Sequence, residues 1–271
     1  MSATAQTDGG TGMAINWRRW RVFAAQCGFG ILLLLVWKWG AEYAGEDYVA
    51  DPLKVAERIV EIGLGGELWR HTYVTLRLSF LGFALGCIAG IAVPFALRRL
   101  PRLSAAVEPY ILASVGVPKY ALIPLFILWF GINDAPKLWL VGLLVFYPVY
   151  IAIVAGMRSV DGRLISMARI FGASETAISR EVIWRSLQPF FFSALKISLP
   201  RAVSAAIIGE FLVGNEGIGY YIENSRQSVD STGVFVGIVM ATLIVLVINA
   251  LLGAIDRRVN AWRPKERDME I

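Results

Sequence analysis

The chain has 271 residues, 56% of them hydrophobic and 17% charged, with a formal net charge of +5. So apolar a composition excludes an ordinary soluble domain, and several runs approach the roughly 20 apolar residues that cross a bilayer as a helix. The basic residues cluster beside apolar segments rather than in a soluble patch, which is a topology signal and argues against nucleic-acid binding. The sequence predicts an all-α, polytopic membrane protein with about six transmembrane helices and short loops.

Residues 1–16 are Thr, Gly, Ala and Ser with almost no charge and read as a disordered tail. Residues 17–271 read as one transmembrane domain. Trp17-Arg18-Arg19-Trp20-Arg21 precedes a first span at about 22–40. A basic stretch before an apolar core also describes a signal peptide. No small-residue cleavage site follows Trp39, so the segment reads as an uncleaved anchor. The next stretch turns acidic (Glu42, Glu46, Asp47, Asp51, Glu57, Glu61, Glu67). There Asp51-Pro52 opens an amphipathic helix with Val55, Ile59 and Ile62 on one face, outside the membrane. His71 is the only histidine and has no carboxylate or cysteine cluster at ligand spacing, so no metal site is expected. Cys27 and Cys87 fall inside apolar segments and do not form a disulfide framework.

A second span, about 73–97, carries Gly82, Gly86 and Gly90 at four-residue spacing, a face suited to close helix packing. Arg98, Arg99 and Arg102 follow. The third span, about 108–131, is interrupted at Pro118 and Pro124, and prolines free carbonyls that only protein or water can satisfy at depth. Lys119 follows the first proline. A broken helix with an ionisable residue marks a substrate pathway, although a lysine there could also snorkel to the surface. A short turn at Asn133-Asp134 leads into a fourth span, about 136–157.

Residues 161–189 lie between long apolar spans yet carry Arg163, Arg169, Arg180 and Arg185, so they stand outside lipid. Asp161 caps a short helix with Leu164, Ala168 and Phe171 at helical spacing, and Gly172 ends it. Ser174 caps a second, with Ile178, Val182 and Ile183 on one side. Such a pair is either a docking surface or a solvated loop with a charged face. The fifth span, about 190–213, holds Lys196, Arg201 and Glu210. Lys196 lies near the span's end and snorkels. Arg201 and Glu210, nine residues apart, sit on opposite helix faces, so each needs another helix, a second subunit or water. Both fit either a pathway role or structural ion pairs. The glycines after Glu210 (Gly214, Gly217, Gly219) lack the Lys-Ser/Thr of a phosphate cradle. A sixth span, about 233–255, ends in Asp256-Arg257-Arg258 and Trp262-Arg263-Pro264-Lys265. The basic clusters place both termini and the 161–189 loop in the cytoplasm.

The 161–189 stretch resembles the coupling loop of permease subunits in ATP-binding-cassette importers. That family pattern runs E-A-A, three residues, Gly, nine residues, I-x-L-P. Ser166, Met167 and Ala168 occupy the E-A-A positions, Gly172 is in place, and Trp184 and Arg185 stand within the I-x-L-P segment. The segment P-K-Y-A-L-I-P-L-F-I-L-W-F-G, from Pro118 to Gly131, resembles the nitrate/sulfonate/taurine branch of these permeases. So do an acidic residue at Glu210 before a glycine-rich loop and a closing R-R-x-x-x-W-R.

The resemblance implies a type I importer permease fold in a bacterial inner membrane. Ala168, Gly172, Ala173 and Ser174, with Arg180 and Arg185, would meet the ATPase, and Lys119, Arg201 and Glu210 would lie on the pathway. Two ATP-binding subunits, a second permease copy and an extracytoplasmic solute-binding protein would be its partners. The solute would be small and anionic, of the sulfonate, taurine or nitrate kind; pyrimidine precursors, aromatic carboxylates and bicarbonate remain alternatives. No nucleotide motif or metal cluster appears, so the chain is expected to be no enzyme, to bind no cofactor and to leave ATP to its partner. The departures at Ser166, Met167, Trp184 and Arg185 support a rival in which the fold persists as a non-transporting scaffold.

Overall fold

The computed structural model describes residues 11–259, entirely without strands among them. Eleven helices follow one another: α1 (Thr11–Ala44), α2 (Pro52–Leu64), α3 (Glu67–Arg98), α4 (Pro101–Ser114), α5 (Ile123–Phe130), α6 (Asp134–Ser159), α7 (Gly162–Ile170), the single turn α8 (Glu175–Ala177), α9 (Trp184–Val213), α10 (Ile218–Gln227) and α11 (Ser231–Val259). A 3-10 turn (Lys119–Leu122) precedes α5 and a π turn (Ile178–Ile183) joins α8 to α9. Five helical runs are long and apolar enough to cross a membrane, and a sixth span arises if α4 and Lys119–Phe130 are taken together.

Helix α1 starts at Thr11, so residues 11–16, read from sequence as tail, have helical backbone; residues 1–10 lie outside the described part. The same holds for the basic cluster after residue 259. The third span is not one interrupted rod, because its halves meet at 96°. Pro118 stands at that bend, whereas Pro124 lies in the first turn of α5, where its missing N–H costs nothing. Nor does the fifth span begin at 190. Its helix runs back through Trp184 and the π turn to Glu175, with Pro189 inside it. The second helix expected in the loop is therefore the extended start of α9.

The core is α3 packed on α6 and α9. A Cβ on Gly82 would stand 2.5 Å from Val141 Cβ, one on Gly86 2.5 Å from the Gly142 carbonyl, and one on Gly90 2.8 Å from Val149 Cβ. The glycine stripe thus lets the α3 backbone close onto α6, and Val141, Val145 and Val149 are fully buried against it. Helix α2 lies at one end of the bundle as its sequence predicts: Asp51 accepts the Leu53 N–H, Pro52 opens the first turn, and Val55 and Ile62 are buried. Helix α1 is exposed over most of its length and touches the rest near its end, where Ala41 is buried and Trp37 donates to the Ala50 carbonyl and stacks on Phe235.

The two ends of the bundle differ in charge. One carries Arg98, Arg99, Arg102, Arg158 and the 161–189 segment; the other carries α2, Asp134 and the Gly214–Gly217 turn with Glu216. They are called here the basic end and the acidic end.

Candidate functional site

At the basic end, α7 closes in a Schellman motif. The Ala173 N–H donates to the Ala168 carbonyl at 3.0 Å and the Gly172 N–H to Arg169 at 2.9 Å, with Gly172 at φ +78°. Ser174 then caps the next turn by accepting the Ala177 N–H. Ala168, Gly172, Ala173 and Ser174 are thus the residues that shape the corner. What the corner presents are Ile170 and Phe171, 84% and 83% exposed. Sequence spacing placed Phe171 on the apolar side of its helix and passed over Ile170; both point outward because the left-handed turn follows them at once. Beside them a groove of about 420 Å³ runs between α7 and the start of α9, lined by Leu164, Met167, Val182 and Arg185 among others.

The corner is tied to the bundle through Glu175, which sequence reasoning did not single out. Its carboxylate lies 2.8 Å from Arg169 Nε and 3.7 Å from Arg98 Nη2 of α3, and Arg98 also donates to Ser179 Oγ at 2.9 Å. Arg185 pairs with Glu181 at 2.8 Å, and Arg180 approaches the same carboxylate at 3.8 Å. All three remain on the surface, available to a partner.

Midway through the membrane domain lies the bend between α4 and α5. Lys119 is 92% shielded there and does not reach the surface. Its Nζ donates to the Val115 carbonyl, one of those the bend frees, and lies 4.6 Å from the centroid of the Tyr147 ring. Tyr147 in turn shares a 2.8 Å hydrogen bond with Ser114. No carboxylate lies within 4.0 Å of Lys119 among the described residues. Tyr147 stands at the midpoint of α6, so the ammonium sits about 20 Å from either end of that helix. A cavity of about 500 Å³ opens between α5 and α6 at this point.

Helix α9 separates its two deep charges as the nine-residue spacing predicts. Arg201 is exposed, on a face shared with Ser193 and Ser204, and has no carboxylate within 4.0 Å among the described residues. Glu210 is fully buried and accepts hydrogen bonds from Thr75 Oγ1 at 2.8 Å and the Gly219 N–H at 3.0 Å, while its Oε1 is without a partner. The neighbouring N–H groups are met in the same way: Gly217 donates to His71 Nδ1 at 3.0 Å and Ile218 to Thr75 Oγ1 at 2.9 Å. Three amides at the start of α10, orphans in an isolated helix, are therefore satisfied by side chains of α3 and α9. A Cβ on Gly217 would stand 2.2 Å from Glu210 Cδ, and its φ is +106°, so only glycine fits. His71 Nδ1 thus serves as an acceptor within this joint. Glu210 belongs to this joint, and no lysine or arginine lies within 4.0 Å of its carboxylate among the described residues.

At the acidic end, Asp134 bridges Arg77 at 2.5 Å and the buried Lys137 at 2.8 Å, on the wall of a cavity of about 670 Å³ that also borders Asn215 and Glu216. Lys137, an ion-paired residue 3% exposed along its side chain, was missed because a lysine one turn into a span looks like a surface group.

The family of binding-protein-dependent transport system inner membrane components matches residues 82–261. The chain is 28% identical over 239 residues to the formylaminopyrimidine transport permease protein ThiX of Halalkalibacterium halodurans, covering 88% of this chain and 95% of that protein. It is 27% identical over 234 residues to the putative aliphatic sulfonates transport permease protein SsuC of Bacillus subtilis, covering 86% and 85%. Its fold is shared with a chain of the crystal structure of an amino acid ABC transporter with histidines, at a TM-score of 0.60 and 19% identity over 73% of this chain and 97% of that one. With the family match spanning the bundle from Gly82 onward, this multi-pass membrane protein belongs to the inner membrane components of binding-protein-dependent transport systems, the permeases of ABC importers, and is a transport subunit rather than an enzyme.

Proposed function

We propose that the chain is one of two identical permease subunits of an importer, with two ATP-binding subunits docked at its basic end and a solute-binding protein delivering cargo to its acidic end. The observation that carries this is the corner at Gly172. An ordered turn exposes Ile170 and Phe171 to water, and such apolar exposure on a surface segment marks a contact site. The arginines around it favour a cytoplasmic position, in a bacterial cell, for that end and for both termini. Closure of the ATPases on ATP would be received by α7 and passed through Glu175 to α3 and through the continuous helix to α9. ATP and the loaded binding protein would each favour the outward-open arrangement.

The path would run along the unpaired faces of the bundle. Lys119 at the bend and Arg201 with Ser193 and Ser204 on α9 are the groups an apolar lipid contact does not explain, since a charge at this depth is retained for a cavity or partner. Two cations without neighbouring carboxylates favour an anionic solute. The relatives' names include both a pyrimidine and aliphatic sulfonates, so they span two solute chemistries.

The test is affinity purification of the tagged chain from native membranes in mild detergent, with mass spectrometry of its companions. Recovery of a protein with a Walker A motif is expected. Its absence, under conditions that hold a known importer together, would favour a scaffold without transport. In the assembled complex Arg185→Glu puts a like charge beside Glu181 and is expected to lower stimulated ATPase activity several-fold. Unchanged stimulation would remove the α7–α9 groove from the interface.

A further inference from the structure

The cavity at the α4–α5 bend says more about the solute than its sign. Its walls are apolar except for Ser114, Lys119 and the hydroxyl of Tyr147, and five of its residues are aromatic: Phe126, Trp129 and Phe130 from α5, Trp139 and Tyr147 from α6. Phe130 stacks on Trp139 with centroids 5.7 Å apart, so two of the rings hold each other in place. We propose that this groove is the solute's intramembrane resting site and that it takes a monoanion with a flat, aromatic body, the anionic group at Lys119 and the ring among Phe126, Trp129 and Trp139. The proposal rests on the importer reading.

A buried ammonium needs a counter-charge, and the Val115 carbonyl and the Tyr147 face supply only partial ones. Among the described residues the acidic side chains of the spans stand toward one end or the other: Glu108 pairs with Arg158 toward the basic end, Glu210 is fully buried near the acidic end, and the others, such as Glu42, Glu67 and Asp134, lie near the ends of their helices. A second copy packed over the groove would therefore bring no free carboxylate to this depth. A phospholipid headgroup does not reach it either, since it lies beyond the roughly 15 Å half-thickness of the hydrocarbon layer whereas Tyr147 is at the middle of its span. A mobile anion remains.

The shape of the groove selects among anions. A zwitterion such as taurine would place its own ammonium where no carboxylate waits. A small inorganic anion would leave most of the 500 Å³ unfilled and forfeit its hydration against apolar walls. An aryl sulfonate or aryl carboxylate loses little on entering, because its body is apolar, and gains ring contacts in offset or edge geometry.

Equilibrium binding to the purified complex, with radiolabelled p-toluenesulfonate as the probe, tests this. Saturable binding is expected, with taurine and nitrate displacing the probe about tenfold less well or worse. Lys119→Ala is expected to weaken probe binding about tenfold or more, and Lys119→Arg to keep it within about threefold. Trp129→Leu, away from the charge, is expected to weaken it several-fold while leaving the complex assembled. Equal displacement by taurine or nitrate overturns the aromatic assignment. Unchanged binding by Lys119→Ala, or anionic phospholipid retained by the wild type in place of the probe, overturns the site. A complex that contains its ATPase yet binds no aryl anion sinks this proposal alone; a chain that recovers no ATPase sinks the importer reading and this proposal with it.

Discussion

Arg201 and Glu210 are both charged residues inside one span, and their surroundings give them different work. Glu210 is surrounded by donors it was folded to meet: the Gly219 amide and the Thr75 hydroxyl. Replacing it by leucine would leave that amide buried without an acceptor and crowd Gly217, whose Cα side already faces the carboxylate. Glu210→Leu should cost about 1–3 kcal/mol and more if the clash is not relieved. A fall in the thermal unfolding midpoint in detergent reads this out. Arg201→Leu puts an apolar group on an exposed face and should leave the midpoint within the small range of surface changes while lowering transport. If the two variants lose stability equally, the division into joint and pathway is wrong. The sequence showed that the two could not pair with each other. It could not show who else was near, because Thr75 and His71 reach their partners across more than 130 residues of chain.

Among the elements, spans and caps were legible and bends were not. Apolar runs bounded by arginines mark membrane helices whatever their neighbours, and Asp51, Asp161 and Ser174 cap in the structure because capping depends on the next three residues only. The α4–α5 angle is different. A proline says that a helix loses a hydrogen bond, not how far the chain then turns, and Pro118 at the 96° bend looks in sequence much like Pro109, Pro148 or Pro200, which their helices absorb. Nor could the π turn be read, since it arises where the loop must join α9 without a gap. The corner at Gly172 yields the prediction that belongs to this scale. A β-branched residue there has room around its Cβ but must adopt φ near +78°. Gly172→Val should therefore cost about 1–2 kcal/mol locally and unwind the corner. The expected result is normal membrane insertion with reduced recovery of the ATPase on purification; full recovery would mean that the partner does not read this turn.

In the whole molecule α3 is a rod joined to both ends. At the basic end Arg98 holds Glu175 and Ser179 of the loop; at the acidic end His71 and Thr75 hold the amides that open α10, next to the cavity bordered by Asp134 and Glu216. Its glycine stripe fixes it on α6 between, so closely that no Cβ would fit at Gly82, Gly86 or Gly90 without a shift. If the 161–189 segment is displaced by a partner, a stiff, closely packed helix would carry that motion rather than absorb it. The link that can be cut without disturbing the core is Glu175, exposed and shared between Arg98 and Arg169. As a solvent-exposed pair it adds little to stability, so Glu175→Gln should leave the unfolding midpoint almost unchanged. Its effect should fall instead on coupling. In proteoliposomes containing the full complex, ATP hydrolysis should continue while the binding protein's stimulation of it and the solute moved per ATP both decline. Arg98→Gln, which also loses the Ser179 hydrogen bond, should do at least as much, and the double variant should be no worse than Arg98→Gln, since the Glu175 contact with α3 is already gone. An additive loss would show that Arg98 and Glu175 act on separate partners, and undiminished stimulation in both would locate the path from ATPase to membrane in α9 alone.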